Sequence, residues 1–125
     1  MNPRPNRAGR SFRIGSAAEF QRVFARKTRR DLGWIIVHAA PNELGRTRLG
    51  LSIGVRVGNA ARRVRVKRLI RESFRLVRAG IPRGIDIIVS SRNHADRPIA
   101  DYMRAITDES KRLATALGIS TTDGE

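Results

Sequence analysis

The chain has no cysteine, which excludes disulfides, thiolate metal sites and thiol nucleophiles. It has one tryptophan, one tyrosine and four phenylalanines, so leucine, isoleucine, valine and alanine must supply the core. No apolar run approaches the ~18 residues of a membrane span. The basic N-terminus, MNPRPNRAGRSFR, lacks the apolar stretch that would make it a secretory signal. A soluble, cytoplasmic protein is the expectation. Acids are also scarce, 11 against 26 lysines and arginines. They are dispersed, with no pair at a spacing suited to general acid–base work. The two histidines, His38 and His94, have no carboxylate at ligand spacing, and no serine sits in a nucleophile-elbow context. Neither a metal site nor a protein-only catalytic centre is expected.

What the chain does have is positive charge. The net charge is +15 over 125 residues, and 23 of the 26 basic residues are arginine, whose planar guanidinium suits phosphate. That length makes one domain with a modest core. Residues 1–11, rich in Pro, Asn, Gly and Arg, read as a flexible basic arm. Residues 12–118 read as a single α+β domain, and 119–125 as a disordered tail.

Within the domain, Ser16-Ala-Ala-Glu19 has the capping-box pattern, with Ile14 placed as a staple, and Phe20, Val23 and Phe24 follow on one helical face. Lys27–Asp31 breaks that pattern. Gly33–Ala40 is a β-branched strand, and Arg48–Val55 alternates well enough to be its antiparallel hairpin partner across Pro41–Gly45. A helix runs from about Asn59 to Gly80, with Pro82 beyond it. Ile85–Ser90 is a short apolar strand, central or covered on both faces. A last helix starts near Pro98 and ends at Gly118. The glycines at 50, 54 and 58 match no nucleotide-binding fingerprint and read as turn geometry.

The segment Arg56–Arg78 carries the strongest signal, with nine basic residues and one acid. At about 100° per residue, Val66, Leu69, Ile70, Ser73, Phe74 and Val77 share one side. Lys67, Arg68, Arg71, Arg75 and Arg78 fall within a roughly 100° arc on the other. A solvated face usually mixes signs to gain i,i+4 pairs, and here only Glu72 is acidic. An ordered row of cations anchored in a core fits a polyanion, RNA or DNA. Phe20 and Phe24 suit core packing, or base stacking if they border an open cleft. Trp34 and His38, at i and i+4 of one strand, are placed to floor such a cleft.

GNAARRVRVKRLIRESFR resembles the signature of the bacterial ribonuclease P protein component, roughly G-N-A-V-x-R-N-R-x-K-R-x-x-R-E-x-F. Gly58, Asn59, Ala60, Arg63, Arg65, Lys67, Arg68, Arg71, Glu72 and Phe74 match it. The flanks are similar too: Arg13-Ile14, the E-F-x-x-V-F element at Glu19–Phe24, LGLSI before the signature and G-I-D-I-I-V after it. The resemblance spans about residues 12–117. Val64 departs from the asparagine of the family's central R-N-R, and Val55-Arg56 stands where the family often has two lysines.

The resemblance implies a small, mostly antiparallel sheet of four strands with three helices and a left-handed β-α-β crossover. It implies the protein subunit of an endoribonuclease that removes the 5′ leader of precursor tRNA, with hydrolysis performed by the RNA subunit and its Mg²⁺. The implied partners are that catalytic RNA, in a 1:1 complex, and precursor tRNA. Arg56, Asn59, Arg63, Arg65, Lys67, Arg68, Arg71 and Arg75 are then the RNA-binding candidates, and Phe20, Phe24, Trp34 and His38 the leader-cleft candidates. Charge and size alone suit a ribosomal or other structural RNA-binding protein equally well; the motif discriminates.

Overall fold

The computed structural model describes residues 12–119. Helix α1 is Ala17–Arg26. Strands β1, Thr28–Asp31, and β2, Ile35–Pro41, follow, then β3, Arg48–Ser52. Helix α2 is Ala60–Val77, β4 is Ile85–Ser91, and α3 is Ile99–Ala116. One-turn 3₁₀ segments at Val55–Val57 and Arg78–Gly80 flank α2. The N-terminus of α1 forms as its sequence predicts. Ser16 Oγ accepts from the Glu19 amide at 3.2 Å, while Glu19 Oε1 accepts from the Gly15 amide at 3.0 Å, so two otherwise free donors are satisfied.

The sheet order is β1-β2-β4-β3. β1–β2 and β2–β4 are antiparallel, and β3–β4 is parallel. The sheet is mostly antiparallel, as expected, but the hairpin is elsewhere. β2 pairs with β1, a strand formed by the stretch that reads only as a break after the first helix. Arg48–Ser52 does not pair with β2: β4 lies between them, and β3–α2–β4 is a parallel crossover. Burial explains the order. β4 (IDIIVSS) is buried on both faces over its first five residues, which only an inner strand allows, whereas β3 (RLGLS) ends exposed and suits an edge. The Pro41–Gly45 turn chemistry serves β4 as well: the Asn42 amide donates to the Gly84 carbonyl at 2.9 Å.

Helices α2 and α3 cover one sheet face. There Ile35, Val37, Ala39, Ile85, Ile87 and Val89 pack with Val66, Ile70, Phe74, Tyr102, Ile106 and Leu113. Helix α1 covers part of the other face, where Ile14, Val23, Ala40 and Ile88 form a smaller cluster under Phe20. That face also buries a charge. Asp86 is wholly inaccessible and accepts from Arg48 Nε at 2.9 Å, Arg48 Nη2 at 2.7 Å, Asn42 Nδ2 at 2.8 Å and Arg22 Nη2.

The basic arm expected over residues 1–11 lies outside the described residues, as do 120–125. Residue 119 itself is held. The Ile119 amide donates to the Ala114 carbonyl at 2.8 Å, closing α3 past Gly118, and the Ile119 side chain packs on the core.

Candidate RNA interface

Helix α2 is positioned from both ends. Asn59 Oδ1 accepts from the Arg62 amide at 2.9 Å, so this signature asparagine is an N-cap. Val66, Ile70, Ser73 and Phe74 are buried, with Leu69 and Val77 half-buried, as the wheel requires. The Ser73 hydroxyl is satisfied by the Leu69 carbonyl at 2.7 Å. With that face fixed, Arg65, Arg68, Arg71 and Arg75 are exposed and Lys67 half-exposed.

The cations are not equivalent. Arg75 is engaged by Glu72. Arg63 donates to the Gly58 carbonyl at 2.8 Å, bracing the turn before the helix. Arg65 lies 3.5 Å from Asp96. Arg62, which sequence reasoning does not single out, ties α2 to the loop before α3 through Asp96 and the His94 carbonyl. Among the described residues, Arg56, Lys67, Arg68 and Arg71 have no acidic partner. These four present uncompensated charge.

Beside this row runs an open groove of about 600 Å³ between α2, the β3 edge and the start of α1. Phe20, Leu49 and Gly50 form its floor, and Val64, Arg68, Arg71 and Arg75 line its α2 side. Gly50 is there for closeness, not for a turn: a Cβ would stand 2.7 Å from Phe20 Cζ. At one end the Arg78 guanidinium lies 3.9 Å above the Phe12 ring. A groove with an aromatic floor and a guanidinium wall can stack a base and hold its phosphates.

The four cleft candidates separate. Phe20 lines the groove. Phe24, 37% exposed, lies beside it with its ring 6.4 Å from that of Phe20. His38 sits beneath Phe24, edge-on at 4.8 Å, with Nε2 3.3 Å from Ser90 Oγ. Burial, then the Arg29 charge, lowers the His38 pKa from its ordinary value against the opposing pull of Asp31, and this lowering favours the neutral ring. Trp34 does not share this surface. It precedes β2, in the turn after Gly33, so strand alternation does not reach it. It packs on the α3 side, 5.0 Å from Tyr102 and 5.2 Å from His94, with Arg97 stacked at 4.0 Å.

Val64 is 49% exposed at the groove and is not part of either core cluster. Val64→Asn is therefore expected to leave the melting temperature nearly unchanged, since the two residues have similar helix propensity. It should hold or tighten RNA affinity by up to about 1 kcal/mol, one recovered hydrogen bond. A melting temperature several degrees lower together with weaker RNA binding would contradict this placement.

A cationic helix seated on a small α+β sheet beside an aromatic-floored groove defines a nucleic-acid-binding protein. The Ribonuclease P family model matches residues 9–115. The ribonuclease P protein component of Methylococcus capsulatus is 42% identical over 87 residues, covering 69% of this chain and 67% of that protein. That of Desulfovibrio desulfuricans is 34% identical over 121 residues, covering 92% and 93%. Among solved structures, the Staphylococcus aureus RNase P protein superposes with a TM-score of 0.70 at 30% identity, covering 85% of this chain and 97% of that one. The Thermotoga maritima protein gives 0.70 at 26% identity, covering 80% and 96%.

The chain belongs to the ribonuclease P protein family. The family role is 5′ maturation of tRNA, as the protein subunit of an endoribonuclease holoenzyme whose partner is an RNA subunit.

Proposed function

We propose that residues 12–118 act as one RNA-binding domain serving two strands of RNA at once. Arg56, Lys67, Arg68 and Arg71, with Arg65 and Arg75 after exchange of their carboxylate partners, contact phosphates of the catalytic RNA in a 1:1 complex. Asn59 and Arg63 order the start of the helix that presents them. The groove over Phe20, with Phe24 and His38 beside it, receives the single-stranded 5′ leader of precursor tRNA. The observation that carries this reading is the juxtaposition of unpaired cations on α2 with the open aromatic groove. Mg²⁺ belongs to the RNA subunit. The carboxylate lining the groove, Glu72, is engaged by Arg75, and a divalent ion there would have to displace a guanidinium already in place. The work is done in the cytoplasm, where precursor tRNA is made.

Reconstitution tests it. Protein alone should leave precursor tRNA intact, and protein with its RNA subunit should yield the mature 5′ end at low Mg²⁺. Affinity for the RNA subunit should fall with salt at a log–log slope of about −4 or steeper, five or more phosphates at about −0.7 to −0.9 each. Robust cleavage by RNA-free protein, or a slope near −1, would overturn the assignment of roles.

A further inference from the structure

Helix α1 and β1 meet in a run of cations, Arg26-Lys27-Thr28-Arg29-Arg30, at the sheet edge opposite the groove. Two neighbours there are engaged by acids or bases: Arg30 Nε donates to Glu109 at 2.8 Å, and Asp31 accepts from Arg92 at 2.6 Å. Arg26, Lys27 and Arg29 are exposed and, among the described residues, form no ion pair; the charge of Arg29 reaches Asp31 only at longer range, and Asp31 is already held by Arg92.

Lys27 adds a second observation. It stands at φ 61°, ψ 22°, the left-handed position that closes α1. Glycine takes that conformation without strain, and a lysine there keeps a cation where the backbone favours no side chain.

The register connects this edge to the groove. Gly50, Ile88, His38 and Arg29 lie abreast across the four strands, and Phe20 and Phe24 of α1 stand over Gly50 and His38. The next row, Ser52, Ser90, Ile36 and Asp31, is exposed or half-exposed, with the Asp31 carboxylate taken up by Arg92. At about 4.8 Å per strand, some 14 Å separates the outer strands. The strip therefore has the α2 arginines at one side, aromatic and small side chains in the middle, and Arg29, Lys27 and Arg26 at the other. Bases on a stacking surface with phosphates on cations is how single-stranded nucleic acid is held without sequence preference.

We infer that the β1 edge is a second phosphate subsite, built from Arg26, Lys27 and Arg29, which takes the distal part of a single-stranded leader after it crosses the sheet from the groove. This rests on the leader reading above and extends it to a surface that the groove does not include.

The holoenzyme, assayed with precursors bearing leaders of about 4 and about 12 nucleotides, tests it. In Lys27→Gly/Arg29→Thr, the ratio of long-leader to short-leader affinity should fall. The salt slope for the long leader should flatten by about 1.4, two phosphates lost. Melting temperature should be held or raised, because glycine relieves the left-handed residue. The charge-retaining Lys27→Arg/Arg29→Lys should keep the wild-type ratio. A ratio unmoved by the neutral pair overturns the subsite. Phe20→Leu separates the two readings: if it weakens both substrates while the neutral pair does nothing, only the β1 subsite falls. If Phe20→Leu leaves both substrates bound as tightly as wild type, the groove reading falls as well.

Discussion

Ile70→Ala is expected to destabilise the protein by about 2–5 kcal/mol, read as a shift in urea or thermal midpoint, and Arg68→Ala by almost nothing. The two residues lie two positions apart on α2 and face opposite ways. Ile70 is fully buried in the main core among side chains from β2, β4 and α3, so its truncation leaves a cavity that a two-sided packing cannot readily collapse. Arg68 is exposed at the groove with no acidic partner among the described residues, so removing it breaks nothing that holds the fold. The order of effects reverses in RNA binding, where Arg68→Ala weakens affinity and flattens its salt dependence by roughly one phosphate. If Arg68→Ala destabilises the fold as much as Ile70→Ala, the two faces of the helix are wrongly assigned.

Asp86→Asn should cost more than its near-identical shape suggests, about 3–5 kcal/mol. The carboxylate is wholly buried, and Arg48, with its side chain only 11% exposed, would keep only the more exposed Glu19 carboxylate, 3.2 Å from Nη2, while its two bonds to residue 86 lose their charged acceptor. Arg22, 42% exposed, can turn to solvent. Burial by itself would raise the Asp86 pKa, but the hydrogen bonds from Arg48 and Asn42 and the charges of Arg48 and Arg22 outweigh it, leaving the carboxyl below its ordinary 3.8. A depressed carboxyl binds fewer protons folded than unfolded, so its stabilisation is present above about pH 4 and is lost as pH falls through the folded value. The wild type should therefore lose stability steeply below pH 4, and Asp86→Asn should show a flatter acid limb. Equal acid limbs in urea titrations would show that Asp86 does not carry this dependence.

Helix α2 was readable because its two faces are chemically opposite over five turns, so the wheel alone separates core from interface. The caps at Ser16 and Asn59 were readable or nearly so, since their partners lie three residues away. Strand order was not. β3 follows β2 across turn residues, and local adjacency favours a hairpin; what decides is that β4 needs cover on both faces, a property of the whole sheet. β1 leaves no signal in the sequence because an outer strand carrying Arg29, Arg30 and Asp31 has no apolar alternation. Trp34 falls on the α3 side because strand alternation begins only at Ile35, one residue after it. The buried charge of Asp86 inside an apolar run, and the tie from Arg62 to Asp96, depend on partners dozens of residues away and leave no local mark.

The parallel crossover also sets an order of assembly. β1 and β2 can close as a local hairpin with little loop entropy, but β3 has only the single bridge from Phe12–Ile14 to Leu49 until β4, on the far side of α2, brings it into the sheet. During synthesis from the N-terminus, the groove floor at Leu49–Leu51 and the cationic helix therefore both wait for Ile85–Ser91 to emerge. When β4 docks, it completes the sheet, seats the helix and opens the groove in a single cooperative event. A chain truncated before β4 would lack the RNA-binding surface altogether, even though every cation of that surface had already been made.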